Sequence, residues 1–197
     1  MMPPEAYPPE GAPPDTLPFP EEPDVQLMLR LREGDESALN ELVERWKHPL
    51  INFFYRSVKQ YELAEDLSQV TFVRIYRSAP KYQPQAKFST YLFHIARRLL
   101  INEFRRQQRK PLDAVDPAEI RLADDSDSER ATREIEEAFQ HALGELPENQ
   151  RTALLLYKQQ EMSYAEIAEA MDATESAVKT WIFRGRQILK QALKDLV

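Results

Sequence analysis

The sequence predicts an all-α protein built from two small helical domains, and three observations predict it. Apolar residues recur at three- and four-residue spacing through both long segments, and no stretch alternates apolar with polar for long. Only 4 glycines stand against 15 prolines in 197 residues, too few turn formers for a strand-rich fold. With 42% apolar and 30% charged residues the chain can bury one medium core or two small ones, so it is no disordered tail.

Charge divides the chain further. The net charge of -7 argues against an anionic partner until it is split by position. Residues 1–23 hold nine prolines and five carboxylates with no Lys or Arg, which predicts an extended, disordered acidic tail. Residues 24–110 carry sixteen basic and ten acidic side chains and form the first domain. An acidic flexible linker follows over 111–128, and the acidic composition continues to 137. The second domain spans 129–197, and from residue 138 on it is nearly neutral. The acidity thus lies mostly outside the folded segments.

The first helix runs from Asp24 to Glu33 and is ended by Gly34. Asp35 is an N-cap for a second helix through Leu39, Leu42, Val43, Trp46 and Leu50, with Pro49 as a kink or an early turn. The third covers about Glu62 to Ala79 and stops at Pro80 and Pro84. The fourth covers Phe88 to Arg109 and stops at Pro111. In the second domain a helix from Glu129 to Leu143 ends at Gly144 and Pro147, and three more follow.

Two of those three form a helix-turn-helix. Ser163-Tyr164-Ala165-Glu166 fits a capping box, Ile167, Ala168 and Met171 form an apolar stripe, and Asp172-Ala173-Thr174 is a three-residue turn. On the last helix Val178, Trp181, Ile182, Gly185 and Leu189 gather on one side. The other side shows Ser176, Thr180, Phe183 and Gln187 flanked by Lys179 and Arg184. Apolar packing behind, with cations and hydrogen-bonding groups in front, suits a major groove, where phosphates attract charge and base edges are read by donors and acceptors. A merely solvated basic face at a helix C-terminal half is the plainer alternative for the cations taken alone.

The strongest charge signal lies earlier: from Lys81 to Lys110 there are eight basic residues and one acidic, Glu103. On a helix, His94, Arg97, Arg98 and Arg105 share an arc with Tyr91 and Asn102, opposite Leu92, Phe93, Ala96, Leu99 and Leu100. Cations interleaved with an aromatic and an amide suit single-stranded DNA; a solubilising face with Tyr91 in the core is the alternative. The third helix differs, because Glu62, Glu65, Asp66 and Gln69 share an arc with Val73 and Tyr76. That surface fits a basic protein partner or plain solvation.

Other chemistries are poorly served. Cysteine is absent, which removes thiolate catalysis and Cys-ligated metals; His48, His94 and His141 are too scattered for a metal site. No Gly-rich phosphate loop can be written, so neither a cofactor nor enzymatic activity is expected. No apolar run reaches the ~20 residues of a membrane span and the N-terminus lacks a secretory pattern, which predicts a cytoplasmic protein without membrane insertion.

In order and spacing, Ala64-Glu65-Asp66-Leu67-Ser68-Gln69, Phe88-Ser89-Thr90-Tyr91-Leu92, Ile95-Ala96-Arg97-Arg98, Leu146-Pro147-Glu148-Asn149-Gln150-Arg151, Ser163-Tyr164-Ala165-Glu166-Ile167-Ala168 and Phe183-Arg184-Gly185-Arg186 resemble a bacterial RNA polymerase sigma factor of the extracytoplasmic-function class. The resemblance implies a region 2-like domain and a region 4-like domain that bind core RNA polymerase, recognise promoter DNA and help to open it. It places Glu65, Asp66 and Gln69 on the polymerase. It places Tyr91, His94, Arg97, Arg98, Asn102 and Arg105, with Lys87 before them and Arg106 after, on the melted -10 element. Ser176, Lys179, Thr180, Phe183, Arg184, Arg186 and Gln187 would read the double-stranded -35 element. An anti-sigma factor is a candidate further partner. Arg98 and Trp181 depart from residues frequent in the family, so the preferred bases do not carry over; Val70 replaces a frequent Glu, so the strength of the polymerase contact does not carry over either, and Asp172 takes a turn position often given to Gly, where Asp tolerates a left-handed conformation. The rival readings are a free-standing helix-turn-helix regulator, which needs no polymerase-docking face, and a helical adaptor that binds only proteins, whose contacts would not weaken steeply with salt on DNA.

Overall fold

The computed structural model describes residues 21–109 and 127–194, and side chains within the second stretch from residue 134. Eight α-helices occur among them and no strand: α1 (Pro23–Arg32), α2 (Ser37–Val58), α3 (Tyr61–Ser78), α4 (Phe88–Arg109), α5 (Asp127–Glu145), α6 (Glu148–Gln159), α7 (Tyr164–Ala170) and α8 (Glu175–Ala192). A single 3-10 turn, Ala79–Lys81, follows α3. The all-α expectation holds. Most of the tail and most of the linker lie outside the described residues, whereas residues 21–23, grouped above with the tail, are placed.

Pro23 opens α1, where its missing N–H is no loss, and Gly34 after the helix takes φ 97°, a conformation that costs glycine nothing. Three local expectations are revised. Asp35 does not cap in the standard position, since α2 starts at Ser37; its carboxylate still accepts from the Ser37 N–H at 3.0 Å and holds Arg30 at 2.7 Å. Pro49 lies inside α2, well past its early turn. The helix continues to Val58 and closes on Lys59 in the left-handed region, whose N–H reaches Tyr55 O at 2.8 Å. Gly144 is likewise passed through, and Pro147 becomes the cap of α6 rather than the stop of α5.

Helices α1–α4 close over an aromatic lattice. Phe53, Phe54, Phe88 and Phe93 are wholly buried, and Phe53 meets Phe93 edge-on at 5.2 Å. Trp46 bridges Phe88 at 5.9 Å and Phe93 at 6.1 Å while its indole N–H donates to Asp24 at 3.0 Å. Each such ring contributes on the order of 2–3 kcal/mol by leaving water. Helices α5–α8 surround Leu143, Leu146, Leu156, Ile167, Val178 and Ile182. The two sets also touch: α4 lies along α7, and α2 lies against α5 and α6.

Candidate nucleic-acid and polymerase interfaces

The geometry of α7 and α8 is set by their caps. The Ser163 hydroxyl accepts from the Glu166 N–H at 3.3 Å and the Glu166 carboxylate accepts from the Ser163 N–H at 2.7 Å, which completes the capping box. Asp172 then adopts φ 50°, the left-handed turn that a short polar side chain tolerates. Thr174 caps α8 by accepting from the Ala177 N–H at 3.2 Å. Val178, Ile182, Gly185 and Leu189 are buried behind, with Trp181 half-buried at the edge. Ser176, Lys179, Thr180, Phe183, Arg184, Arg186 and Gln187 are all exposed, and Phe183 keeps 63% of its surface in solvent. Among the exposed large apolar side chains of the described residues Phe183 is the most exposed, and it stands amid the polar and cationic groups of this face.

On α4 the candidate residues separate into two groups. Asn102, Arg105, Arg106 and Arg109 line an open concavity of about 440 Å³ at the C-terminal half. Arg106 is already engaged, since Glu103, a buried carboxylate, receives its guanidinium at 2.7 and 2.9 Å and lifts its pKa. Arg98 is exposed. The N-terminal half faces α7 instead. Lys87 donates to Glu166 at 2.6 Å, His94 Nδ1 lies 3.8 Å from Asp172, and Arg97 donates to Asn149 at 3.3 Å. Burial between the two helices pushes the His94 pKa below its ordinary value, aided by Arg98 and Arg97 and opposed by Asp172.

Tyr91 is not a free stacking surface. It is half-buried, its ring lies 5.2 Å from Tyr82 and 6.5 Å from Phe88, and its hydroxyl pairs with Ser78 Oγ at 2.6 Å. Burial raises its pKa despite that bond. The arc expected of it is real, but the ring leans into the core.

On α3, Asp66 and Gln69 are exposed and Glu65 half-buried. They share a ridge with Val73 and Tyr76, exposed at 47% and 45%, and the Tyr76 hydroxyl donates to Glu36 at 2.9 Å. A shallow recess of about 400 Å³ lined by Leu39, Phe72, Val73 and Tyr76 adjoins it. Acid beside exposed apolar surface is a protein-docking chemistry rather than a DNA one.

Several structural residues escaped the sequence reading. Glu22 Oε2 accepts from the Phe88 N–H at 2.9 Å and so caps α4 from 66 positions away. Arg151 donates to Ser57 O at 2.9 Å and to Leu146 O at 3.2 Å and lies over the Phe104 ring at 5.4 Å, joining α6 to α2 and α4. Tyr157 and Tyr164 stack on each other beside α8. Of these residues, only Arg151 and Tyr164 lie in motifs that the sequence offered.

Comparison with known proteins agrees with this layout. The model of sigma-70 region 2 matches residues 42–110, and that of sigma-70, region 4 matches residues 136–189. The RNA polymerase sigma-H factor of Pseudomonas aeruginosa is 32% identical over 187 residues, covering 90% of this chain and 97% of the relative. The ECF RNA polymerase sigma factor SigW of Bacillus subtilis is 31% identical, covering 85% and 95%. Among solved structures, that of CnrH in complex with the cytosolic domain of CnrY aligns with a TM-score of 0.68 at 22% identity, covering 87% of this chain and 97% of that one. The two helical bodies carry regions 2 and 4 of the sigma-70 family, and the chain belongs to it. Within that family its relatives place it in the ECF group.

Proposed function

We propose that the chain binds core RNA polymerase, directs it to specific promoters and assists their melting, with the labour divided among three helices. The ridge of Glu65, Asp66 and Gln69 on α3, with its apolar flank, docks the polymerase. The cationic stripe of α4, from Lys87, Tyr91, His94, Arg97 and Arg98 to Asn102, Arg105 and Arg106, engages the melted -10 strand. The outer face of α8, with Ser176, Lys179, Thr180, Phe183, Arg184, Arg186 and Gln187, reads the -35 duplex. The carrying observation is that acidic-apolar, cationic and mixed reading faces occur on three separate helices, in the order region 2 then region 4.

Binding energy, rather than bond chemistry, is the means: contacts to duplex and polymerase are spent on unstacking bases and holding them on a cationic groove. The protein works in the cytoplasm with its polymerase. An anti-sigma partner is part of the proposal, because a solved neighbour is the sigma factor RpoE of Bartonella quintana in complex with the anti-sigma factor NepR. The domain limits proposed are 24–110 and 129–197, joined by the acidic segment between them. A free-standing regulator would have no use for the α3 ridge. The test is run-off transcription by purified core polymerase on a genomic fragment library, with and without this protein. Discrete protein-dependent starts are expected, and their absence would overturn the proposal.

A further inference from the structure

The flank of α8 carries an arrangement that neither the family motifs nor the proposed division of labour explains. Tyr157, near the end of α6, and Tyr164, the first residue of α7, lie almost parallel, with ring centroids 5.3 Å apart and planes inclined by 11°. The Arg186 guanidinium lies over the Tyr157 ring at 4.9 Å, and the Lys179 ammonium over the Tyr164 ring at 5.6 Å. Lys158 adds a third cation 5.8 Å from Tyr157, and Glu175 stands 3.7 Å from Lys179.

Lys179 and Arg186 are seven residues apart, two turns of one helix, so they lie roughly 10 Å apart on one edge. They sit at the edge of the reading face rather than at its centre, which Thr180, Phe183 and Gln187 occupy. A helix about as wide as the major groove turns its edges toward the phosphate walls and its centre toward the bases. Long basic side chains on an exposed helix are otherwise free to rotate, and holding them beforehand removes an entropic cost of binding. A guanidinium stacked flat on a ring still presents its N–H donors outward in its own plane.

We propose, on the reading of α8 as a duplex-binding helix, that Tyr157 and Tyr164 are positioning residues that hold Arg186 and Lys179 along one edge of that helix for contact with duplex phosphates. The pair acts through the cations and touches no base.

The test uses the full chain and a short random-sequence duplex, because phosphate contacts are independent of sequence, and reads affinity by fluorescence anisotropy across a salt series. Arg186→Ala is expected to reduce the slope of log affinity on log salt by about 0.9, the loss of one phosphate contact. Tyr157→Leu keeps an apolar side chain without the π-face and is expected to lose the same slope, while the double variant loses no more than either single one. Tyr157→Phe keeps the ring and is expected to keep the slope. Additive losses, an unchanged Tyr157→Leu slope or a Tyr157→Phe variant as defective as Tyr157→Leu would each overturn the assignment. Should Tyr157→Leu fail to fold by circular dichroism, the ring-current shift of the Arg186 δ protons decides; it is expected upfield in the wild type and in Tyr157→Phe, and its absence in the wild type overturns the proposal. If neither Arg184→Ala nor Arg186→Ala alters affinity or slope, the duplex-binding reading of α8 itself falls and takes this proposal with it, whereas an effect of those two without an effect of Tyr157→Leu overturns the positioning role alone.

Discussion

The Lys87 ammonium lies 2.6 Å from the Glu166 carboxylate, so a residue proposed for single-stranded DNA is held by the helix-turn-helix. His94 with Asp172 and Arg97 with Asn149 extend the same contact between α4 and the second domain. DNA on the N-terminal half of α4 and docking of α7 on it therefore exclude each other. The expected outcome is that a single-stranded oligonucleotide, or raised salt, lengthens the distance between fluorophores placed on α2 and α8. Lys87 is 47% exposed, and such a pair contributes at most about 1 kcal/mol, so Lys87→Ala should shift the docked population no more than about fivefold. A distance insensitive to both agents would contradict the exclusion.

Acid should open the same contact. The His94 pKa in the docked form lies below its ordinary 6.5, because burial and the neighbouring Arg98 and Arg97 outweigh Asp172. The undocked form, with His94 in water, binds more protons between the two values, so docking weakens as pH falls from above 6.5 toward the depressed value. The fluorophore distance is expected to grow on acidification, and His94→Gln to flatten the profile. A distance that shrinks with acid would mean that the Asp172 attraction dominates.

Glu166 serves two structures at once, and two variants separate them. Burial pushes its pKa up, yet the bonds from Lys87 and Ser163 hold it below the ordinary value. Ser163→Ala removes only the capping bond and should cost about 1 kcal/mol of helix-turn-helix stability. Glu166→Ala removes the box and the tie to Lys87, so it should also release the docked form. Thermal unfolding reads the first effect and the fluorophore distance the second; equal behaviour of the two variants in both would refute the division.

Arg151 is expected to matter for the joint between the two sets of helices more than for α6 itself. Its guanidinium satisfies the Ser57 carbonyl in a buried setting and covers Phe104. Arg151→Leu leaves that carbonyl without its charged donor, at a cost of about 1.5–3 kcal/mol. Native-state hydrogen exchange should quicken at the end of α2 and the C-terminal half of α4, and Arg151→Lys should fail to restore it, because an ammonium cannot span two carbonyls and a ring together. Unchanged protection there would dismiss the role.

What the chain's pattern revealed was local, and what it hid was distant. The capping box at Ser163, the Thr174 cap and the left-handed turn at Asp172 were legible because each rests on residues within four positions of one another. The reading face of α8 followed from its periodicity. Pro49 is carried inside α2 because a proline in a helix loses one backbone bond, a cost that the burial of Leu50, Phe53 and Phe54 beyond it offsets. Tyr91 fell on the correct arc, yet periodicity does not tell which edge of an arc leans on Tyr82 and Ser78. Glu22 on Phe88 and Arg151 on Ser57 span 66 and 94 positions and leave no periodic trace.

Arg184 gives the sharpest test of the α8 assignment because it lies on the edge opposite Lys179 and Arg186, is exposed and forms no ion pair among the described residues. Its removal should therefore leave the fold intact. As a duplex contact it is worth about 1–3 kcal/mol, so Arg184→Ala should weaken binding of the upstream promoter element by roughly 5- to 150-fold while core polymerase is bound as tightly as before. Filter binding on a promoter found by the run-off assay measures the first quantity, and co-elution with core polymerase the second. Equal loss of both would place Arg184 on the polymerase instead, and loss of neither would remove it from the reading face.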